Sequence, residues 1–383
     1  MTIRLKILWI PHTGWHIPQR AHLFCRALAE RHEVHVTDWV ADFSKPRDYL
    51  SRRYLRNFTY RHYMDGKIKV HGIPRFSPAL FLSSLRRLNT HIYSRYVQAI
   101  IDENEIDAVI GTFVVPPPKA PLLIFDLFDD NVAYWLEYRN NLAYAKEIEK
   151  IEQAYILQAD KVITVSSVLA DKVAPLRKPP KDSLPYLIPN GVDINLFRKA
   201  DGSNILKKYN LAGYKIIGMI SAFGESRGLL RLIEAFKGLA DSKAALLIVG
   251  DGPQLGLAIR RVKETNLANV IFTGRIPFEK IADYYQALDI GVIPFDKNNF
   301  TDSACPIKLL EYSAAGKVVV STNLVEIQRM NLPNVVIVDS TPSSLADGIC
   351  KALSITSHQQ PELGKYDVKY LTKQFEDLLS GSA

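Results

Sequence analysis

The sequence feature that most limits the fold is a repeated alternation of short apolar runs with helical periodicity. Runs such as residues 5–10, 108–111 and 245–249 are apolar almost throughout, as in parallel strands that are covered on both faces. The segment after the first run places apolar residues at i, i+3, i+4 and i+7, namely Ala21, Phe24, Cys25 and Leu28. Alternation of this kind predicts an α/β fold with parallel sheets.

The alternation occurs twice, on either side of a proline-rich stretch. Residues 175–189 contain five prolines, and such a rigid segment is typical of a domain boundary. The sequence therefore predicts two doubly wound, Rossmann-like domains facing a cleft, over residues 1–187 and 188–358. Residues 359–383 should form a C-terminal helix that could pack back on the N-terminal domain. Ligands of such sheets bind beyond the carboxyl ends of the strands.

Composition excludes several classes of protein. Hydrophobic residues make up 47% and charged residues 23% of the chain, which is ordinary for a globular protein. No apolar run approaches the roughly 18 residues of a membrane span, and the first residues lack the pattern of a signal peptide. Three scattered cysteines argue against a disulfide framework or a metal cluster. We therefore expect a cytoplasmic protein without a cofactor or a bound metal.

Positive charge is concentrated in one segment. Residues 41–100 contain twelve Lys or Arg, three Asp and no Glu, a balance of +9 against +8 for the whole chain. The segment is either a solvated face or a surface for an anionic partner. Interleaved aromatic residues favour the inner face of an anionic membrane, and no nucleic-acid recognition motif is present. The arginines expected at the membrane are Arg52, Arg53, Arg56, Arg61, Arg86 and Arg87.

A glycine-rich loop between a predicted strand and a predicted helix is the first candidate ligand site. Residues 221–228 read SAFGESRG, and the start of the next helix would offer free N–H groups to an anion. Gly228 permits a close approach of the backbone, and Arg227 could donate a charge-assisted hydrogen bond to a phosphate. The alternative is a plain tight turn with an exposed arginine.

A second candidate site lies at the start of the helix predicted at residue 307. Lys308 falls in the first turn, where the helix dipole disfavours a cation, so an anion beside it would explain its position. Glu311 shares its helical face and could accept hydrogen bonds from ribose hydroxyls. The alternative is a surface ion pair worth less than about 1 kcal/mol.

Three carboxylates follow a predicted strand in the N-terminal half, in the stretch FDLFDDN at residues 125–131. Neighbouring carboxylates repel, which raises a pKa and suits a general base. Asp129 and Asp130 are therefore candidate catalytic residues, with a helix N-cap or an acceptor for sugar hydroxyls as alternatives. His12 and His16 lie in the first loop, and His16 is the third catalytic candidate.

Seven stretches resemble, in order, the motifs of retaining glycosyltransferases of the GT-B fold, family 4 type. Each motif alone is weak, but together they are strong, and the likeness is clearest over residues 159–338. The stretches are ADKVITVS (159–166), IPNGVD (188–193), RGLLRLIEAF (227–236), LIVGDGP (247–253), FTGRIP (272–277), ADYYQALDIGVIPF (282–295) and KLLEYSAAGKVVV (308–320).

The resemblance implies that a UDP- or GDP-sugar binds the C-terminal domain and that a glycan or lipid-linked acceptor binds the N-terminal domain. By motif, Arg227 matches the phosphate-binding Lys of the family, and Glu311 matches the carboxylate that holds the ribose. The loop of Arg275 and Ile276 matches the stretch beside the base. The remaining residues assigned to the donor are Gly14, Gly228, Asp302, Lys308 and Leu309.

Two positions depart from the family pattern. Ala222 stands where the family often has an arginine, and Ser303 stands where the family has the first Glu of its Glu-x7-Glu motif. Asp302 is the candidate replacement for that carboxylate, and Lys308 is the candidate replacement for the missing phosphate charge. We expect a hexosyltransferase that retains configuration. A nucleotide-sugar epimerase using Asp129 and Asp130, or a non-catalytic binding protein, are the competing functions.

Overall fold

Each half of the chain builds its own sheet, as the twofold alternation predicts. A computed structural model describes residues 4–15, 19–39, 58–76, 83–177, 184–239 and 243–381. The chain divides into an N-terminal unit, formed by residues 1–189 and 368–383, and a C-terminal unit, formed by residues 190–367. The C-terminal unit thus begins directly after the proline-rich stretch, and the last residues of the chain belong to the N-terminal unit.

The N-terminal unit contains an eight-stranded sheet. Its strands are β1 (Lys6–Trp9), β2 (Glu33–Asp38), β3 (Arg61–Asp65), β4 (Ile68–Gly72), β5 (Ala108–Gly111), β6 (Leu122–Leu127), β7 (Lys161–Thr164) and β8 (Tyr186–Leu187). Their order across the sheet is β3-β4-β2-β1-β5-β6-β7-β8. All neighbours are parallel except β3 and β4, which form an antiparallel hairpin at the edge.

In the described part of this unit, the strands are connected by the helices α1 (Arg20–Leu28), α2 (Ser83–Asn104), α3 (Asn131–Glu137), α4 (Leu142–Gln158) and α5 (Ser167–Val173). The predicted stripe on α1 is buried: Ala21, Phe24, Cys25 and Leu28 pack in the core with β1 and β2. Burying each of the larger side chains contributes roughly 1.5–3 kcal/mol. This stripe anchors α1 against the sheet.

The β3–β4 hairpin is an element that the strand prediction did not include. Its two-residue turn is Gly66 and Lys67, between the paired Asp65 and Ile68. A glycine in the first turn position is typical of such hairpins, and Gly66 adopts φ 59°, which glycine tolerates best. The strand β3 is mostly exposed, with 41% exposure at Tyr63 and 57% at Met64. The sequence therefore carried a turn signal that the charge pattern of this segment obscured.

The C-terminal unit contains a fully parallel sheet of six strands: β9 (Lys215–Ile220), β10 (Ala244–Val249), β11 (Val270–Phe272), β12 (Ile290–Ile293), β13 (Val318–Thr322) and β14 (Val335–Val338). Their order is β11-β10-β9-β12-β13-β14. The apolar run at residues 245–249 coincides with β10 to within one residue. Continuous apolar strands such as β10 are buried along their whole length, as expected for a sheet covered on both faces.

The helices of this unit lie between and after its strands. They are α6 (Ile194–Lys199), α7 (Ser203–Lys208), α8 (Leu229–Lys237), α9 (Leu255–Glu264), α10 (Ile281–Gln286), α11 (Asn299–Asp302), α12 (Ile307–Ala314), α13 (Val325–Met330) and α14 (Pro342–Leu353). A final helix, α15 (Val368–Ser380), belongs to the N-terminal unit. Within the described residues, no helix is long and apolar enough to cross a membrane.

The final helix completes the N-terminal core. The Phe375 ring lies 5.4 Å from that of Trp9 and 4.6 Å from that of Phe24. The Arg31 guanidinium on the neighbouring surface donates to the Glu376 carboxylate at 2.8 Å. Apolar burial by α15 therefore covers the same face of the sheet as α1.

In each sheet there is one point at which the order of successive strands changes direction. In the N-terminal sheet, β1 lies between β2 and β5; in the C-terminal sheet, β9 lies between β10 and β12. The loops that leave β1 and β5, or β9 and β12, therefore diverge and open a crevice at the carboxyl edge, which is where ligands of doubly wound sheets bind. These two places are the candidate sites.

Candidate active site

The loop after β9 packs tightly against the loop after β12. Gly228 adopts φ 68°, and a Cβ at this position would lie 1.7 Å from the carbonyl oxygen of Pro294. The backbone N–H of Asp296 donates to the carbonyl of Ser226 at 3.0 Å, and Arg231 donates to the Pro294 carbonyl at 2.8 Å. Only glycine fits this contact. We call this region, residues 221–228, 294–297 and 306–311, the β9–β12 edge.

Arg227 lies at this edge, at the end of a short 3-10 helix. Its guanidinium carbon is 4.4 Å from the centroid of the Phe295 ring, a cation–π contact that orients the side chain. The helix α8 begins directly after it, at Leu229, so free backbone N–H groups accompany the positive charge. A cation beside a helix start is suited to an anion, and the phosphate-binding role of Arg227 stays a prediction.

The start of α12 supplies a second cation and a carboxylate. The Nζ of Lys308 donates to Oε2 of Glu311 at 2.7 Å, and the hydroxyl of Tyr285 donates to the same oxygen. The Glu311 side chain is 5% exposed and that of Lys308 is 26% exposed, so the ion pair of the alternative interpretation is present and is partly buried. Tyr285 is fully buried and was not among the predicted site residues, since it becomes a neighbour of Glu311 only through the fold.

A buried hydrogen bond brings α12 to the same edge as β9. The hydroxyl of Tyr312 accepts a hydrogen bond at 2.9 Å from the backbone N–H of Ile220, the last residue of β9. The residue after Glu311 thus contacts the strand that leads into the Arg227 loop. The two predicted ligand sites of the C-terminal half therefore belong to one edge of one sheet.

The other predicted donor residues of this unit differ in burial and in partners. Leu309 is a fully buried core residue, and Ile276 packs against the same core. Arg275 is exposed. The Asp302 carboxylate accepts from the Val325 backbone N–H at 3.0 Å and pairs with Lys297 at 3.1 Å. Its position at the end of α11 thus stabilises the start of α13.

Ser303 is buried at the motif position where the family has Glu. Its hydroxyl donates to the Phe300 carbonyl at 3.0 Å, within the turn that links α11 to α12. Ala222, at the other departure from the family pattern, is exposed in the loop after β9. Neither of these two positions therefore supplies a charge to this edge.

The first loop of the N-terminal unit lies at the carboxyl end of β1. Gly14 is buried there, and the ring of His12 stacks on that of Phe128 at 3.9 Å. Burial lowers the pKa of His12 to about 4, so its imidazole is neutral at pH 7. His16 lies outside the described residues.

The carboxylates around residue 130 differ from a simple row after a strand. Strand β6 continues to Leu127, so Asp126 lies inside it and pairs with Arg20 at 3.2 Å. Asp130 caps α3 by accepting from the Ala133 backbone N–H at 3.1 Å, and it also accepts from Lys172. The geometry of Asp130 is thus that of the N-cap alternative.

A buried carboxyl with a raised pKa does occur beside this cap, but at another residue. Glu152 on α4 is buried, and burial raises its pKa to about 8. The Asn131 amide donates to Glu152 Oε1 at 3.0 Å and to the Asp129 carbonyl at 3.1 Å. Glu152 was missed because its position on a helix of mixed polarity carries no local signal of burial.

The basic segment divides between surface and interior. Arg52, Arg53 and Arg56 lie outside the described residues, whereas Arg87 is exposed on α2. The sequence predicts a hydrated surface arginine at Arg86, and this prediction is wrong. The Arg86 side chain forms two hydrogen bonds of 3.1 Å with Glu147 and lies over the ring of Tyr144. The Arg61 side chain lies on β3 and packs close to Gly72.

Comparisons with known proteins match both halves of the chain. The family model described as Glycosyltransferase Family 4 matches residues 18–196, and the model described as Glycosyl transferases group 1 matches residues 214–354. The second match contains the β9–β12 edge, and the first contains most of the N-terminal sheet. Both agree with the resemblance found in the sequence.

Individual relatives are more distant. The chain is 28% identical over 202 residues to TuaH of Bacillus subtilis, a protein described as a teichuronic acid biosynthesis glycosyltransferase. The alignment covers 51% of this chain and 49% of TuaH. It is 28% identical over 172 residues to N-acetyl-alpha-D-glucosaminyl L-malate synthase of Bacillus anthracis, covering 44% and 43%. The chain thus matches about half the length, or less, of these curated relatives.

Solved structures extend the likeness over the whole chain. The structure of HepE from Anabaena, in complex with UDP and glucose, superposes with a TM-score of 0.67, covers 99% of this chain and 100% of HepE, and is 16% identical. At that identity the likeness concerns the fold. The chain therefore belongs to the GT-B glycosyltransferases, with a family 4 domain followed by a group 1 domain.

Proposed function

We propose that the chain transfers a hexosyl group from a nucleoside diphosphate sugar to an acceptor hydroxyl. The bond between the anomeric carbon and the β-phosphate oxygen breaks, and the nucleoside diphosphate leaves with the electron pair. The acceptor oxygen forms the new bond to that carbon and gives up its proton. UDP and GDP are the nucleotides that we propose, with retention of configuration, following the family resemblance.

The observation that carries the proposal is the grouping of charges at the β9–β12 edge. Arg227 and Lys308 bring two cations to the starts of α8 and α12, where helix dipoles add partial positive charge. These groups suit a diphosphate, whose charge rises as the leaving group departs, so they would stabilise the transition state. Glu311, held by Tyr285 and Lys308, retains its second oxygen as the proposed acceptor for ribose hydroxyls.

The catalytic roles of Asp129, Asp130 and His16 stay predictions. A base in this reaction would take the acceptor proton. Asp130 is engaged by Lys172 and by the start of α3, which ties its carboxylate to a structural position. Asp130→Asn removes the carboxylate but keeps an N-cap acceptor, so it separates the roles: loss of turnover with unchanged thermal stability supports the base, and unchanged turnover supports the cap.

We also propose that this chain is cytoplasmic and that it binds a lipid-linked or glycan acceptor at the inner face of a membrane. The exposed Tyr63 and Met64 on the edge strand β3 lie near Lys67 and Lys69, which follow in the hairpin and pair with Glu30 and Glu33. Aromatic and apolar side chains flanked by lysines suit an anionic headgroup layer.

Vesicle co-sedimentation tests the membrane proposal. Binding should require anionic lipid and fall with salt, because the Debye length shortens to about 3 Å at 1 M. Met64→Asp should reduce binding, whereas Leu257→Asp, at an exposed leucine on α9 of the other unit, should not. Equal recovery in the supernatant with neutral and anionic vesicles would leave a soluble acceptor.

A panel of nucleotide sugars tests the transfer itself. The chain is incubated with UDP- and GDP-sugars and an acceptor mixture, and released nucleoside diphosphate is measured; the anomeric configuration of the product is read by NMR. Release that depends on acceptor supports a transferase. Interconversion of the donor without release supports an epimerase, and binding of no donor supports a non-catalytic module.

A further inference from the structure

The chain enters the C-terminal unit at residues 190–197, which we call the entry segment. It contains the end of the IPNGVD stretch and the start of α6. Asn190, the first residue of the unit, is half-buried, and its side-chain Nδ2 donates to the carbonyl of Cys305 at 2.7 Å. The two residues are 115 positions apart in the chain, so this hydrogen bond ties the entry segment to a distant turn.

The turn that accepts this hydrogen bond lies directly before α12. Cys305 is followed by Pro306 in the N-cap position, and α12 begins at Ile307. Pro306 provides no side-chain hydrogen bond to the first turn of the helix, although the first N–H groups of a helix lack intrahelical partners. Because the start of α12 has no side-chain cap of its own, a hydrogen bond to the residue before Pro306 helps to fix where the helix begins.

The entry segment is itself held in the core of the unit. Val192 and Phe197 belong to the same buried cluster as Leu309 and Leu310 on α12. The backbone N–H of Val192 also donates to the carbonyl of Tyr366 at 2.9 Å. Close-packed side chains transmit small displacements instead of absorbing them. Asn190 therefore reaches its acceptor from a backbone that is already fixed.

A second set of contacts leads from the entry segment to Glu311. The rings of Phe197 and Tyr285 meet edge to face at 5.1 Å, and the Gln286 amide donates to the Phe197 carbonyl at 2.7 Å. The hydroxyl of Tyr285 in turn donates to the Glu311 carboxylate. The entry segment thus contacts both the turn that precedes Lys308 and the side chain that holds Glu311.

We propose that Asn190 is a positioning residue for the nucleoside diphosphate, acting through its hydrogen bond to Cys305. This bond sets the start of α12, and thereby the direction in which Lys308 and Glu311 face the ligand. The identity of the ligand rests on the proposed function, whereas the tie between Asn190 and α12 does not. Hydrogen bonds weaken steeply with poor distance and angle, so a small displacement of this turn would weaken binding without removing a charged group.

Calorimetric titration with UDP and GDP tests this role. Asn190→Leu keeps the size of the side chain but removes the donor, and it should raise the Kd of whichever nucleotide binds by roughly three- to tenfold, as for one lost hydrogen bond. Asn190→Gln keeps an amide donor and should recover part of this affinity.

Asn334→Leu is the matched control for this titration. Asn334 donates to the Lys317 carbonyl at 2.8 Å, beyond the opposite end of α12. The control should lower the melting temperature but leave the Kd unchanged. Equal Kd values in the wild-type chain and Asn190→Leu, or an equal rise in Asn334→Leu, would overturn the inference.

Double variants test the route through α12. Asn190→Leu should change the Kd less in a Lys308→Ala background than in an Arg227→Ala background, because only the first background lacks a group that Asn190 positions. Changes of equal size in both backgrounds would contradict this route.

Hydrogen exchange without nucleotide tests the tie independently of the proposed function. Amides at residues 309–311 should exchange faster in Asn190→Leu than in the wild-type chain, and those at residues 318–322 should be unchanged. Unchanged exchange at the start of α12 would overturn the inference. Faster exchange there, in a chain whose wild type binds neither UDP nor GDP, would support the tie and count against the proposed function alone.

Discussion

The β9–β12 edge has a counterpart in the N-terminal sheet, a cavity of about 300 Å³ beside the loops that follow β1 and β5, which we call the β1–β5 cavity. The two occupy the same topological position in their sheets, but their surfaces differ. At the first, Gly228 lets two loops touch through backbone atoms, and charged side chains sit at helix starts. At the second, aromatic side chains from four elements enclose a cavity. The fold thus determines where a ligand can bind, and the lining determines whether it suits a compact diphosphate or a ring.

The largest expected effect breaks the close contact at the β9–β12 edge. Gly228→Ala would place a Cβ 1.7 Å from the Pro294 carbonyl oxygen at φ 68°, whereas at Gly224, in the same loop, a Cβ would meet nothing within 4 Å. We expect Gly228→Ala to abolish measurable donor binding and to lower stability by at least about 1–3 kcal/mol. Calorimetric titration and thermal melts measure both.

Gly224→Ala is the control for this change and should be close to neutral. If the two variants bind UDP or GDP with equal affinity, then donor binding does not require tight packing of the two loops. That result would contradict the role that we give to the close backbone contact at Gly228.

The next largest effect removes one cation at a time. Lys308→Ala and Arg227→Ala should each weaken donor binding by about 1.5–3 kcal/mol, the loss of a charge-assisted hydrogen bond. Lys215→Ala is the matched control, since Lys215 begins β9 at the opposite end of the strand and pairs with Asp289. Unchanged donor affinity in both edge variants would remove the diphosphate assignment.

A smaller effect is expected from Tyr285→Phe, which removes the hydroxyl that donates to Glu311. Glu311 would keep Lys308 but lose part of its fixed orientation, so the KM for the donor should rise roughly tenfold or less, with kcat less affected. Tyr284→Phe is the control, because its hydroxyl contacts Tyr209 instead. A rise in KM equal in both variants would contradict a positioning role for Tyr285.

The same comparison explains what the sequence could predict. The candidate residues of the C-terminal unit could be predicted because they are neighbours in the sequence. Arg227 and Gly228 share one loop, and Lys308 and Glu311 share one helical turn. The residues that line the β1–β5 cavity are as far apart in the sequence as His12 and Ile151, so no local sequence pattern predicts the cavity. Tyr285 and Glu152 escaped for the same reason: their partners are 26 and 21 residues away.

The smallest effect on ligand binding is expected at Glu152, which instead changes the pH dependence of stability. Its pKa is about 8 in the fold and about 4.3 when unfolded, so the native state holds the extra proton between these values. The contribution of Glu152 to stability should therefore fall as pH rises from about 4.3 to 8. Glu152→Gln should remove this slope, and the exposed Glu149→Gln should keep it, in urea denaturation at pH 5, 6.5 and 8.

Hydrogen exchange with and without the nucleoside diphosphate tests the central claim most directly. With whichever of UDP or GDP binds, amide exchange should slow at residues 221–228 and 306–311, and it should be unchanged at residues 112–114 and 142–151. Slower exchange around the β1–β5 cavity with none at the β9–β12 edge would contradict the assignment of the donor to the C-terminal unit.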